Sequence, residues 1–168
     1  MFWIIFFLSA INPTYRSSFC TCEPLSIKEN IQKSDIILSG RVTKIDTLKV
    51  VLESFIKAGL SKKDSGAYTK QYLVTLQLLK ILKGRNQTKT VHVVTGTGDG
   101  DCGYYFHLNH SYLIYAAQEK YYIVDSVNSK NLKFKSHQAD YYTTTVCDRT
   151  TESIVAEEKQ LLRELKNR

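Results

Sequence analysis

The sequence predicts a mostly β fold, a small antiparallel barrel with helices confined to its two ends. Three observations predict it. Apolar, partly alternating runs of strand length recur between turn residues. Helical signals occur only near residue 30 and at the C-terminus. A length of 168 residues suits one core. With 43% apolar and 23% charged residues the chain is ordinarily globular, which excludes a disordered, collagenous or coiled-coil protein. Its net charge of +7 is too mild to require a nucleic-acid partner.

The first element is a leader. Met1–Ile11 (MFWIIFFLSAI) is apolar but too short for the roughly 20 residues that span a bilayer. It ends at Asn12-Pro13, with Arg16 and two serines behind it, which is the pattern of a signal peptide over residues 1–19. No later apolar run reaches membrane-spanning length. The expectation is a secreted, extracellular domain over residues 20–168; +7 less the charge of Arg16 leaves it at +6.

Leu25–Lys33 reads as a short helix, with Pro24 just ahead and Ser26 and Glu29 forming an S-x-x-E capping box. Ser34-Asp35 ends it. Ile36–Ile45 reads as a strand in which Gly40 marks a bulge or bend. Residues 46–70 fit strand or helix equally, apart from the loop SKKDSG at 61–66. Tyr72–Leu82 is a strand ended by Gly84, and Thr90–Thr95 is another. After the glycine-rich stretch Gly96–Gly103 come two strands, Tyr112–Ala117 and Tyr121–Val127, then a last one, Tyr141–Val146. Glu152–Lys166 reads as a helix with Ile154, Val155, Leu161, Leu162 and Leu165 on one face.

In an oxidising compartment Cys20, Cys22, Cys102 and Cys147 are candidate disulfides. Joining Cys20 to Cys22 closes too small a ring, so two pairings stay open, each tying the mature start to distant segments. A zinc finger is not indicated, because C-x-C lacks the spacing of finger ligands.

Gly98–Gly103 matches G-x-G-x-x-G, but no helix follows to receive a pyrophosphate, so it reads as a flexible turn leading to a disulfide. Asp99 and Asp101 lack the further ligands of a calcium loop. His107 and His110 form H-x-x-H in a strand or loop context that does not bring both rings onto one ion, so they read as surface histidines and no intrinsic metal is expected. No catalytic serine or cysteine arrangement is present, so neither an enzyme nor a cofactor is expected. Asn86-Gln87-Thr88 and Asn109-His110-Ser111 are sequons in turns, suited to glycans on a secreted chain; Asn12-Pro13-Thr14 is disqualified by its proline.

Four stretches carry a family likeness. Cys20-Thr21-Cys22-Glu23-Pro24 resembles the C-x-C-x-P start of mature tissue inhibitors of metalloproteinases. Residues 31–42 (IQKSDIILSGRV) are similar to that family's approach to its first strand. Cys102-Gly103-Tyr104-Tyr105-Phe106 with Tyr112-Leu113-Ile114 resembles its C-G-x-x-F and Y-L-I run, and Thr143–Cys147 its T-T-C strand. The likeness spans residues 20–150. It implies a netrin-like domain, a closed five-stranded oligonucleotide/oligosaccharide-binding barrel with a short N-terminal helix and a C-terminal helix.

The resemblance further implies bridges Cys20–Cys102 and Cys22–Cys147, and inhibition of zinc metalloproteinases. The Cys20 α-amine and carbonyl would chelate the protease's zinc. Thr21 would enter its specificity pocket, and Cys22, Glu23, Pro24, Gly100, Asp101 and Cys102 would line the cleft. The chain departs from the family at Gln32, where the inhibitors have a further cysteine, and reads as a C-terminal helix where the vertebrate inhibitors carry a second domain. Cleavage before Cys20 leaves Ser17 at −3 and Phe19 at −1; one residue left in front of Cys20 would acylate the amine. The alternative is a non-inhibitory netrin-like module binding a matrix protein or acidic polysaccharide through Lys57–Lys63 and Lys130–Lys135. Single-stranded nucleic-acid binding fits the tyrosines but not a secreted chain.

Overall fold

The computed structural model describes residues 20–23, 25–51, 68–128 and 133–166. The expected signal peptide, Pro24, the 61–66 loop and Lys57–Lys63 lie outside the described residues, and of Lys130–Lys135 only the backbone from 133 onward is described. The elements are α1 (Ile27–Lys33), β1 (Ile36–Val51), β2 (Tyr68–Lys83), β3 (Thr90–Thr95), β4 (Ser111–Asn128), β5 (Lys133–Thr143) and α2 (Ile154–Lys166).

The capping box forms as its spacing requires. The Ser26 hydroxyl accepts from the Glu29 amide at 3.3 Å, and the Glu29 carboxylate accepts from the Ser26 amide at 2.8 Å. Ser34 then turns extended and stops α1, sending the chain straight into β1.

The five strands hydrogen-bond in the order β1-β2-β3-β5-β4, with β4 returning to β1 to close the ring. β1 with β2, β2 with β3 and β4 with β5 are antiparallel. β3 and β5 are parallel, Val93 lying beside Tyr142 and Val94 beside Thr143. Along β1 and β4 the numbers run oppositely: Ile36 faces Ala116, Leu38 faces Ile114 and Gly40 faces Tyr112. Closure demands that opposed sense. Strand directions must return to their starting value around a ring, so the antiparallel junctions are even in number, here four of five.

An all-antiparallel barrel, the reading from the strand pattern, is therefore corrected. Five strands cannot alternate in direction all the way around a closed ring. Tyr112–Ala117 and Tyr121–Val127 are one strand, because Gln118-Glu119-Lys120, which looks like a turn, continues the ladder opposite Tyr142, Tyr141 and Asp140. The last strand likewise starts at Lys133 and ends at Thr143, ahead of the predicted Val146. The undecided stretch 46–70 is strand where described, extending β1 to Val51 and starting β2 at Tyr68.

The first residues of β1 (36–40) and residues 112–116 of β4 are buried on both faces. Ile36, Leu38, Val42, Tyr112, Ile114 and Ala116 line the interior with Val74, Leu76, Val91 and Val93. The alternate residues Ile37, Leu113 and Tyr115 face outward against Ile31 of α1 and Leu161 of α2. This is why both strands begin as unbroken apolar runs. Gly40 sits at a register shift, and a Cβ there would press on the Gln77 carbonyl and Leu76.

The outer layer is stitched by polar groups. Arg149 grips Glu157 through Nε (2.6 Å) and Nη2 (2.7 Å), and the Tyr115 hydroxyl donates to the same carboxylate at 2.9 Å. Burial, then that carboxylate, pushes the Tyr115 hydroxyl well above its usual range. The seating face of α2 is Ile154, Glu157, Leu161 and Leu165, which corrects the predicted stripe. Val155 is 84% exposed and Leu162 38% exposed, both lying roughly 95–115° around the helix from the centre of that face.

Leu161→Ala should cost about 2–5 kcal/mol of unfolding free energy and Val155→Ala less than about 0.5 kcal/mol, measured by denaturant titration. The Glu29 carboxyl is held below its ordinary range by the Ser26 hydroxyl, then by the Ser26 amide. A carboxyl held low stabilises the fold above its unfolded value of about 4.3 and loses that contribution as pH falls through the folded value. Stability should therefore fall on acidification below about pH 4.3, and Glu29→Ala should shrink that fall when denaturation midpoints are compared across the range.

Candidate functional site

Three segments meet at one edge of the ring: residues 20–23, the β3–β4 loop and the turn after β5. Cys20 is bridged to Cys102 and Cys22 to Cys147, with Cα atoms 5.4 and 5.3 Å apart. The sequence leaves two pairings open, and these are the bridges present. All four sulfurs lie within 4.8 Å of one another, Cys20 Sγ being 3.7 Å from Cys22 Sγ and 3.9 Å from Cys147 Sγ.

Backbone pairing also brings the bridged segments together. The Val146 amide donates to the Cys102 carbonyl at 2.9 Å, and Gly103 bridges Thr145. The turn holding Cys147 is fixed by Asp148, whose carboxylate accepts from the Thr145 amide (2.7 Å) and hydroxyl (3.0 Å). On the other side, the Asn30 side chain accepts from the Arg149 amide at 3.2 Å. α1 is thus tied to the segment just beyond Cys147.

The loop Gly96–Gly103 is braced, which corrects the expectation of a flexible turn. Its Asp101 carboxylate accepts from the amides of Thr97 (2.9 Å) and Gly98 (2.6 Å). That carboxylate is spent on the loop's own backbone. Gly98 and Gly100 take positive φ of 86° and 87°, and a Cβ on Gly103 would collide with the Gly96 backbone. The glycines are thus read by turn geometry and close packing, with no helix following to bind a phosphate.

Thr21 and Glu23 are exposed, as are Gly100 and Asp101, while Cys20, Cys22 and Cys102 are half-buried. The cysteines turn inward to their bridges and the intervening residues turn out. Pro24 lies outside the described residues.

No protein-family model and no curated protein matches the chain. What this edge can do is read from its own atoms. All four sulfurs are oxidised, so no thiol nucleophile is available among the described residues. The edge offers main-chain groups held rigidly, flanked by outward Thr21 and Glu23.

A second cluster is one that sequence reasoning missed. His107 and His110 do converge, contrary to expectation: their ring centroids are 5.2 Å apart. Their Nδ1 atoms lie 3.5 and 3.2 Å from Glu152 Oε1. Asn109 makes this possible by taking φ +66°, which folds the chain so that the His110 amide donates to the His107 carbonyl at 3.2 Å. An Asn inside H-x-x-H was the available signal; Glu152 had none, being 42 residues distant and delivered by tertiary pairing. The Tyr112 hydroxyl donates to Glu152 Oε1 at 2.6 Å, and this bond above all holds the carboxyl below its usual range.

The asparagines of both sequons lie outside the strands, the second sequon running into the first residue of β4 at Ser111. The Asn86 side-chain Nδ2 donates to the Thr88 carbonyl (2.8 Å) and hydroxyl (3.1 Å), and Asn109 is exposed in its turn. Removing the second bridge with Cys22→Ala/Cys147→Ala should cost about 2–5 kcal/mol, read from denaturation midpoints. Gly103→Ala should lower the yield of correctly bridged protein, read by mass spectrometry of alkylated samples.

Proposed function

We propose that the chain is a secreted inhibitor of zinc metalloendopeptidases, acting through Cys20 and needing no cofactor of its own. One observation carries the reading: both cysteines of a C-x-C segment are bridged into the same edge, so the main chain at Cys20 is fixed from two directions. The closed five-stranded ring with a helix near each end agrees with the netrin-like, oligonucleotide/oligosaccharide-binding fold that the resemblance implies.

Chelation needs two donors in one five-membered ring, and an N-terminal residue supplies them as its α-amine and carbonyl oxygen. An α-amine titrates near 7.7–8.0, leaving a useful neutral fraction at roughly pH 7. Binding both atoms to the protease's zinc displaces the water that the metal would activate, which stops hydrolysis. A segment already immobilised by two bridges loses little conformational entropy on docking. The exposure of Thr21, Glu23, Gly100 and Asp101 supports this reading, in which Thr21 enters the protease's specificity pocket and the other three meet its cleft.

Peptide sequencing of the secreted protein should give Cys20 as the first residue. A chain with one Ala added before Cys20 should fold with both bridges and lose inhibition of a matrix-type protease. Inhibition should also weaken by about tenfold per pH unit below the amine's pKa, because protonation removes the lone pair. A mature chain starting elsewhere, or inhibition unchanged by the added Ala, leaves the domain as a binding module.

A further inference from the structure

We propose that His107, His110 and Glu152 form a binding site for one divalent transition-metal ion of the zinc class. It uses none of the residues of the disulfide-bridged edge and does not depend on inhibition through Cys20. Their ligand atoms lie within 4.8 Å of one another. Zinc bonds of roughly 2.0–2.2 Å in tetrahedral geometry set ligand atoms roughly 3.3–3.6 Å apart. The distances from Glu152 Oε1 to His110 Nδ1 and His107 Nδ1 are 3.2 and 3.5 Å. Two imidazoles and a carboxylate suit zinc, nickel, cobalt and copper(II), and three protein ligands leave a position for water.

Glu152 Oε1 is approached by three groups at once: both Nδ1 atoms and the Tyr112 hydroxyl. Without a metal, His110 Nδ1 meets that oxygen at 3.2 Å, while His107 Nδ1 lies 3.3 Å from the Tyr112 hydroxyl and 3.5 Å from the carboxylate. A cation between the three ligands uses the two ring lone pairs instead and keeps Tyr112 as the donor that orients the carboxylate. Tyr112 is itself located by the His107 amide, which donates to its hydroxyl at 2.8 Å.

The ligands are held by the sheet rather than by a loose loop. The Asn109 amide donates to the Val42 carbonyl and the Val42 amide to the His110 carbonyl, both at 2.9 Å. Arg41 Nε donates to the Asn109 carbonyl at 3.1 Å. Beside Glu152, Thr151 exchanges two hydrogen bonds with Leu113, at 2.8 and 2.9 Å. All three ligands are exposed, so an ion can enter from solvent.

The test is zinc titration of the secreted, fully oxidised chain by calorimetry, with thiol titration confirming that no cysteine is reduced. One zinc should bind per chain, and cobalt should give a visible d–d spectrum that zinc abolishes. His110→Ala and Glu152→Gln should each weaken binding by on the order of tenfold or more. Zinc should raise the thermal midpoint of the wild type but not of His107→Ala/His110→Ala. Because Glu152 also meets Tyr112, His110→Asn serves as a variant that leaves that bond alone, and it should show the same loss. No zinc binding by the wild type, or binding of unchanged affinity in the His110 and double-histidine variants, would overturn the assignment.

Discussion

Everything in this fold is arranged around two strand segments buried on both sides, Ile36–Leu38 of β1 and Tyr112–Ala116 of β4. Their even-numbered residues fill the ring and their odd-numbered ones receive α1 and α2. A strand apolar on both faces needs a cover on each of them. Closure supplies the inner cover and the two helices supply the outer one. The helices are therefore part of the burial and not appendages: without Ile31 and Leu161, the outward Ile37, Leu113 and Tyr115 would be exposed.

The same demand explains the polar groups that cross the outer layer. Tyr115 carries its hydroxyl into the seam beneath α2, and Glu157, bridged by Arg149, is there to receive it. Arg149 also donates its amide to buried Asn30 of α1. One residue thus connects both helices, and it lies two positions beyond Cys147. The turn that carries the second disulfide is positioned by the packing of the helices as much as by the bridge itself.

Legibility in the sequence followed how local each signal was. β3 was readable to the residue, because Thr90–Thr95 alternates between flanking turn residues. The capping box located α1, since Ser26 and Glu29 act over one turn. β4 was read as two strands because its middle, Gln118–Lys120, is polar, and only its pairing with β5 shows that the ladder runs through. The face of α2 was misassigned because Val155 and Leu162 are as apolar as Leu161; apolar spacing alone does not say which stripe meets the ring. At the bridged edge the cysteines and Asp101 were visible, but Asp101 was read as a cleft contact and Asp148 was not read at all, because both hold turns through backbone amides. The histidine cluster was hidden for the plainest reason, since its carboxylate comes from another part of the chain.

The two candidate sites are opposite ends of one short strap. Between Cys102 and the turn at Asn109, Tyr104 is half-buried and Phe106 buried while Tyr105 and His107 turn outward. The inward rings meet Tyr112 edge-on, with Phe106 and Tyr112 centroids 4.8 Å apart and Tyr104 and Tyr112 5.9 Å apart. Such pairs add roughly 0.5–1.5 kcal/mol each beyond the area they bury. The Tyr104 amide is held by the Thr95 hydroxyl at 2.7 Å. Tyr112 is the common member: its ring anchors the strap in the core and its hydroxyl orients Glu152. An ion held by His107, His110 and Glu152 would therefore brace the strap at one end while the Cys20–Cys102 bridge fixes the other. The connection is mechanical, and it runs through aromatic packing that exists with or without the ion.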